Sequence, residues 1–110
     1  MKLPEAEHAI ISERKVVEYL LNEWHPVGCS KAIYFQAFGF HSTDWEEFAQ
    51  SLRLHAVREN VVRTSVSDYG VVYRVEGPLE TPDGRSPWVC SVWIIENPGD
   101  FPQLITAYPG

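Results

Sequence analysis

The stretch Leu52-Arg-Leu-His-Ala-Val-Arg58-Glu-Asn-Val61-Val-Arg-Thr-Ser-Val-Ser67 changes its period in the middle, and that change decides the fold. Upstream, Trp45, Phe48, Ala49 and Leu52 recur three and four residues apart and run on to His55 or Ala56, the stripe of an amphipathic helix. Thr43-Asp-Trp-Glu46 in front of it fits a capping box. Downstream of Arg58, Val61 to Ser67 is β-branched and reads as a strand. Asp68-Tyr-Gly70 is a hairpin turn, and Val71, Tyr73 and Val75 then alternate with Val72, Arg74 and Glu76, one face in and one face out.

Working outward, Ser12 to Trp24 carries Val16, Val17, Leu20, Leu21 and Trp24 at helical spacing, with Ser12 as N-cap and Pro26 and Gly28 as the stop. Ser30 to about Phe38 predicts a second helix with Ile33, Tyr34, Ala37 and Phe38 as its stripe and Gly39 as its C-terminal cap. On the other side, Thr81-Pro-Asp-Gly84 and Asn97-Pro-Gly-Asp100 are turns. Trp88 to Ile95 is apolar on both faces, as a central strand should be, and Leu104 to Tyr108 is the last short strand. The expected architecture is α+β: about three N-terminal helices packed on a C-terminal four-stranded antiparallel sheet, one domain over residues 1–110.

The composition narrows the function. Nine basic against fifteen acidic residues give a formal charge of -6, which argues against duplex DNA and against an anionic membrane surface as partners. No run approaches the roughly 18 apolar residues of a membrane span. The opening MKLPEAEHAII has one Lys and no long apolar stretch, so no secretory segment is expected and the expected location is cytoplasmic, with Cys29 and Cys90 as free thiols. No metal site is expected, because His8, His25, His41, His55 and the two cysteines never fall into paired ligand spacing; His25-x3-Cys29 is the nearest approach. No Gly-rich loop points to a nucleotide cofactor, and no cofactor of another kind is expected.

Two constellations remain. His25-Pro-Val-Gly-Cys-Ser-Lys31 is a turn that places Ser30 and Lys31 at the start of a helix, where backbone N–H groups and a cation suit a phosphate. The plainer reading is that Ser30 caps the helix and Lys31 is solvated. In the sheet, Ser91 and Trp93 share one face, as do Thr106 and Tyr108. If the two faces agree, hydroxyls line up beside an aromatic plane that suits phosphate and base; otherwise Trp93 and Tyr108 are core aromatics.

Lys15-x3-Tyr19-x-Leu21-Asn22-x2-His25-Pro-Val-Gly28-x2-Lys31-Ala32-x2-Phe35 with Gly39-Phe40, followed by Asp68-Tyr-Gly70-x2-Tyr73-x-Val75, Val89-x-Ser91-x-Trp93-Ile94 and Leu104-x-Thr106-x-Tyr108, resembles a family of small domains of unknown function. Its members occur at the C-terminal ends of bacterial polymorphic toxins and phage head-morphogenesis proteins, and as free-standing proteins. The resemblance implies an effector and, by analogy of fold, the metal-independent ribonuclease fold of barnase, EndoU, the tRNase colicins and RelE. In such enzymes a base draws the proton from a ribose 2′-OH that attacks the adjacent phosphate, while a cation and hydroxyls stabilise the charge. Carried onto this chain, the resemblance implies Lys31 as the phosphate-stabilising cation and His25 as acid or base. On the same resemblance, Ser91, Thr106 and Tyr108 are expected to line the catalytic site, and Ser30, Trp93 and Tyr73 to contact substrate. Ser91 stands where the family has Thr, Cys90 where it has Arg, and Val71-Val72 where it has a polar pair.

The resulting expectation is a toxin-like endoribonuclease acting on tRNA or mRNA, with a small antitoxin or immunity protein as partner. The alternative is a non-catalytic protein-binding module or an inactive relative of the toxin domain, which the acidic balance favours.

Overall fold

Trp45 to Arg58 contains neither Gly nor Pro and repeats its apolar residues at helical spacing, and it forms the longest helix of the computed structural model, which describes residues 1–110. Three helices come first. α1 (Glu13–Lys15) continues as a π-helical segment (Val16–Leu20), α2 spans Cys29–Gln36 and α3 Trp45–Arg58, with 3-10 turns at Ala6–His8 and Ser42–Asp44. Four strands follow: β1 (Asn60–Ser67), β2 (Gly70–Pro78), β3 (Trp88–Ile95) and β4 (Gln103–Pro109). They pair in the order β1-β2-β3-β4, every pair antiparallel, so the change of period at Arg58 marks the passage from helices to an antiparallel meander. Ile10 adds a short parallel bridge to Gln103 beside the β4 edge.

The helices cover one face of the sheet. α3 buries Phe48, Ala49, Leu52, His55 and Ala56 against Val75, Val89, Trp93, Leu104 and Ala107. Phe48 lies between Phe35 and Phe40, with ring centroids 4.8 and 4.6 Å away. β3 is the central strand that its two apolar faces predict: Val89 to Trp93 is buried throughout, whereas Trp88 at its start is exposed.

Three local expectations are corrected. The first helix ends at Leu20 instead of Trp24, because its backbone widens: Leu21 N–H bonds the Val16 carbonyl, five residues back, at 2.8 Å. The wider turn puts Val16, Leu20 and Leu21 in the core and leaves Trp24 85% exposed. In α2 the buried residues are Ala32 and Phe35, and Ile33 of the expected stripe is exposed. The capping box at Thr43 does not form; a 3-10 turn precedes α3, and its N-cap, Asp44, makes no side-chain bond. Ser12, in contrast, caps α1 by accepting the Lys15 N–H at 3.1 Å. Gly39 ends the second helix with a left-handed φ of 101°.

A polar chain runs through the core. Trp93 Nε1–H donates to Ser91 Oγ at 2.8 Å, and Ser91 Oγ lies 2.9 Å from His55 Nδ1. His55 Nε2 faces the carbonyls of Gly77 and Val89, both at 3.1 Å. Carbonyls only accept, so the proton sits on Nε2 and Nδ1 accepts the Ser91 hydroxyl. Every buried side-chain N or O has a partner.

Burial holds the His55 pKa below its usual 6.5, against the raising effect of the Gly77 carbonyl and Glu59. The folded state therefore binds fewer protons than the unfolded chain below pH 6.5, and stability is full above that pH and falls as the pH drops toward the lowered pKa. Unfolding midpoints measured from pH 7.5 to 5 should decline, and His55→Gln should flatten the decline. His55→Ala, which strips Ser91 and two carbonyls of their partner, should cost about 3 kcal/mol in denaturant melts.

Candidate active site at the sheet edge

The turn between α1 and α2 is built by its own side chains. Asn22 Nδ2 donates to the Glu18 carbonyl at 3.2 Å and its Oδ1 accepts the Trp24 N–H at 3.0 Å. His25 Nδ1 accepts two backbone N–H groups, from Val27 at 3.0 Å and Gly28 at 2.9 Å. Gly28 is needed for close approach: a Cβ there would stand 2.7 Å from the Tyr19 carbonyl and 2.8 Å from the Tyr19 ring. Turn and helix therefore press together, and the His25 ring meets Tyr19 edge-on with centroids 5.0 Å apart.

Lys31, in the first turn of α2, points back into this corner. Its Nζ donates to the Tyr19 hydroxyl at 2.5 Å and to Thr106 Oγ1 of β4 at 3.1 Å. One ammonium thus ties the π-helical segment, α2 and the sheet. The Lys31 hydrogen bond lowers the pKa of Tyr19 below its usual 10.0; partial burial opposes the shift, and Thr106 and the charges of Lys31 and Lys15 reinforce it. Lys15 Nζ lies 5.4 Å from the Tyr19 ring centroid. Beside them opens a cavity of about 430 Å³ lined by Ser12, Arg14, Lys15, Glu18, Tyr19 and His25. Glu18 brings a negative charge to it and pairs with Arg14 at 2.7 Å, with both side chains largely in water.

The residues singled out in the sequence divide into three places. Lys31 and Thr106 touch, and His25 joins them through Tyr19. Ser30 follows Cys29 in the first turn of α2; it is exposed and does not cap the helix, whose N-cap is Gly28. Ser91 and Trp93 are fully buried in the chain that leads to His55, and Tyr73, opposite Trp93 on β2, packs on the same core. Tyr108 pairs with Cys90 on the other face of the sheet and lines a separate cavity of about 400 Å³ with Arg63, Arg74 and Glu76. Its bond with the Cys90 thiol raises the Tyr108 pKa, and burial raises that of Cys90.

The row of hydroxyls is therefore split, and a β-bulge is the cause. Val92 pairs with Thr106 but Trp93 with Leu104, so Ile105 is an extra residue on β4. Leu104 and Ala107 both turn to the core, and Thr106 and Tyr108 share the face opposite to Ser91 and Trp93. Tyr19, Lys15 and Arg14 were not singled out as site residues. Lys15-x3-Tyr19 is an i, i+4 pair on one helix face, and that spacing, one turn before His25, is the signal that would have found them.

The fold is thus an α+β domain with a polar tie where the π-helical segment, α2 and β4 meet. The chain belongs to the family described as Domain of unknown function (DUF6883), which matches residues 2–110. Among solved structures it is similar to a chain of the "Contact-dependent growth inhibition toxin - immunity protein complex from Klebsiella pneumoniae 342", with 17% identity, 97% of each chain covered and a TM-score of 0.63. At that identity the likeness is one of fold. None of the curated proteins matches the chain. No helix is long and apolar enough to cross a membrane.

Burial separates the two groups of candidates experimentally. Ser91→Ala leaves the Trp93 N–H and His55 Nδ1 without their shared partner and should cost about 1–3 kcal/mol of stability. Lys31→Ala, at the partly open edge, should cost under about 1 kcal/mol. Urea unfolding of both variants, with equal slopes, checks the ranking.

Proposed function

We propose that this domain is a toxin-type, metal-independent endoribonuclease of a bacterial cytoplasm, with tRNA or mRNA as substrate, held in check by an immunity protein. The observation that carries the reading is the Lys31 ammonium fixed by Tyr19 and Thr106 beside His25. A preorganised cation is what cleavage by a ribose 2′-OH requires where charge builds on the equatorial phosphate oxygens. The likeness in fold to a chain of a toxin–immunity complex over nearly the whole length supports the biological setting.

The hydrogen bonds support a division of roles within this reading. With Nδ1 of His25 occupied by two N–H groups, neutral His25 carries its proton on Nε2, so it serves as a hydrogen-bond donor to phosphate and not as the base. The base is Tyr19, whose ionised form Lys31 favours. Tyr19 oxygen takes the 2′-OH proton as O2′ attacks phosphorus and the P–O5′ bond breaks. Lys31 stays on the equatorial phosphate oxygens, water protonates the leaving O5′, and the hydroxide so formed takes the proton from Tyr19 and restores the base. The products are a 2′,3′-cyclic phosphate and a 5′-hydroxyl.

A second reading, a protein-binding module without catalysis, draws on the net charge of -6 and on Cys90 and Val71-Val72 in place of polar residues. Cleavage of total RNA in excess EDTA separates the two. Lys31→Ala should lower the rate by roughly a hundredfold or more, with a stability loss under about 1 kcal/mol that leaves the domain folded under assay conditions. The wild-type rate should climb with pH along a limb centred below 10, and Tyr19→Phe should abolish both the limb and most of the rate. Intact RNA at high protein concentration would favour the binding module.

A further inference from the structure

Trp24 is the most exposed large apolar side chain of the domain, at 85%, and it immediately precedes His25 in the chain. A Trp this open gains nothing from the core, and helical spacing alone would have buried it. The π-helical widening and the Asn22 turn bring it out instead, and the turn that carries it is braced. Asn22 Oδ1 holds the Trp24 N–H, the His25 N–H bonds the Asn22 carbonyl at 3.2 Å, and the Cys29 N–H bonds the His25 carbonyl at 3.1 Å. Val27, two residues past His25, is also exposed, at 70%.

We infer that Trp24 is a stacking platform for an unpaired base, so that the site takes single-stranded RNA segments and not duplex. The inference rests on the ribonuclease reading of the same site. Its physical basis is the neighbourhood: consecutive Cα atoms are about 3.8 Å apart, so the indole starts one residue from the ring that faces phosphate. Lys15 lines the adjoining cavity, where Glu18 is taken up by Arg14, and can meet the strand's next phosphate. An aromatic face beside a cationic groove is the arrangement by which proteins hold single strands, because every base has a π-face and only an unpaired base exposes it. In a duplex both faces of each base are already stacked. Charge complementarity thus names the occupant: Arg14 is already paired with Glu18, but an apolar partner segment would leave Lys15 and Lys31 without an anion.

The test uses the intact domain and a short 2′-O-methyl oligoribonucleotide, which lacks the attacking hydroxyl and reports binding alone. Fluorescence anisotropy should show Trp24→Ala binding the single strand about tenfold more weakly than wild type, the effect of one lost stack. Trp24→Phe should fall between, and Tyr69→Ala, which removes an aromatic side chain 80% exposed at the β1–β2 turn, should bind as wild type does. The same sequence as a duplex should bind more weakly, with no further loss in Trp24→Ala. Cleavage of the 2′-hydroxyl strand is followed in parallel. Wild type that cleaves, with Trp24→Ala binding equally well, overturns the stacking platform and leaves the ribonuclease standing. Wild type that neither binds nor cleaves overturns both. Binding that depends on Trp24 without any cleavage upholds the platform and overturns the catalytic reading.

Discussion

The pairing of His55 with Ser91 across the core is the constraint on which the rest of the domain depends. An imidazole buried between α3 and the sheet is tolerable only if both nitrogens are matched, and here a hydroxyl and two carbonyls match them. That requirement fixes α3 against β3 and fixes which face of β3 is the core. Ser91, Trp93 and Val75 must then point to the helices, and Cys90, Val92, Thr106 and Tyr108 to the opposite side.

The edge of the sheet is where this arrangement leaves a polar corner partly open. β4 is flanked by β3 on one side and meets α2 and the N-terminal segment on the other, so a side chain from α2 can reach a β4 hydroxyl there. Lys31 does so, and its charge is not cancelled by a carboxylate: its partners are two hydroxyls. In a chain with six more acidic than basic residues, that local arrangement matters more than the net charge, because a partly desolvated cation acts at short range while exposed charges are screened. The Arg14–Glu18 pair at the rim is of the screened kind and contributes little to stability.

Much of the fold was legible from residues with a single physical role. β-branched runs, Pro-Asp-Gly and Asn-Pro-Gly turns and the doubly apolar β3 sufficed for four antiparallel strands, and Lys31, His25 and Thr106, candidates in the sequence, lie in one corner of the fold. What escaped was decided by one residue of offset. The π-helical turn at Val16–Leu20 took Trp24 off the core, and the extra Ile105 turned Thr106 to the other face of the sheet from Ser91. Neither leaves a pattern in the sequence, since each is a backbone adjustment to tertiary packing, and a shift of one residue in a strand reverses every face after it. His55 stood at the end of the α3 stripe, yet its partner lies 36 residues on, and no local signal joins them.

The central claim is that Lys31, Tyr19 and His25 form a site for cleavage by the ribose 2′-OH. The most direct measurement is the chemistry of the ends left on a single RNA after incubation with the pure domain in excess EDTA. The account predicts 2′,3′-cyclic phosphate on the upstream fragment and a 5′-hydroxyl on the downstream one, with no cut where the attacking ribose is replaced by deoxyribose. Fragments with 5′-phosphate ends, cleavage that persists at the deoxy position, or RNA left whole would contradict it.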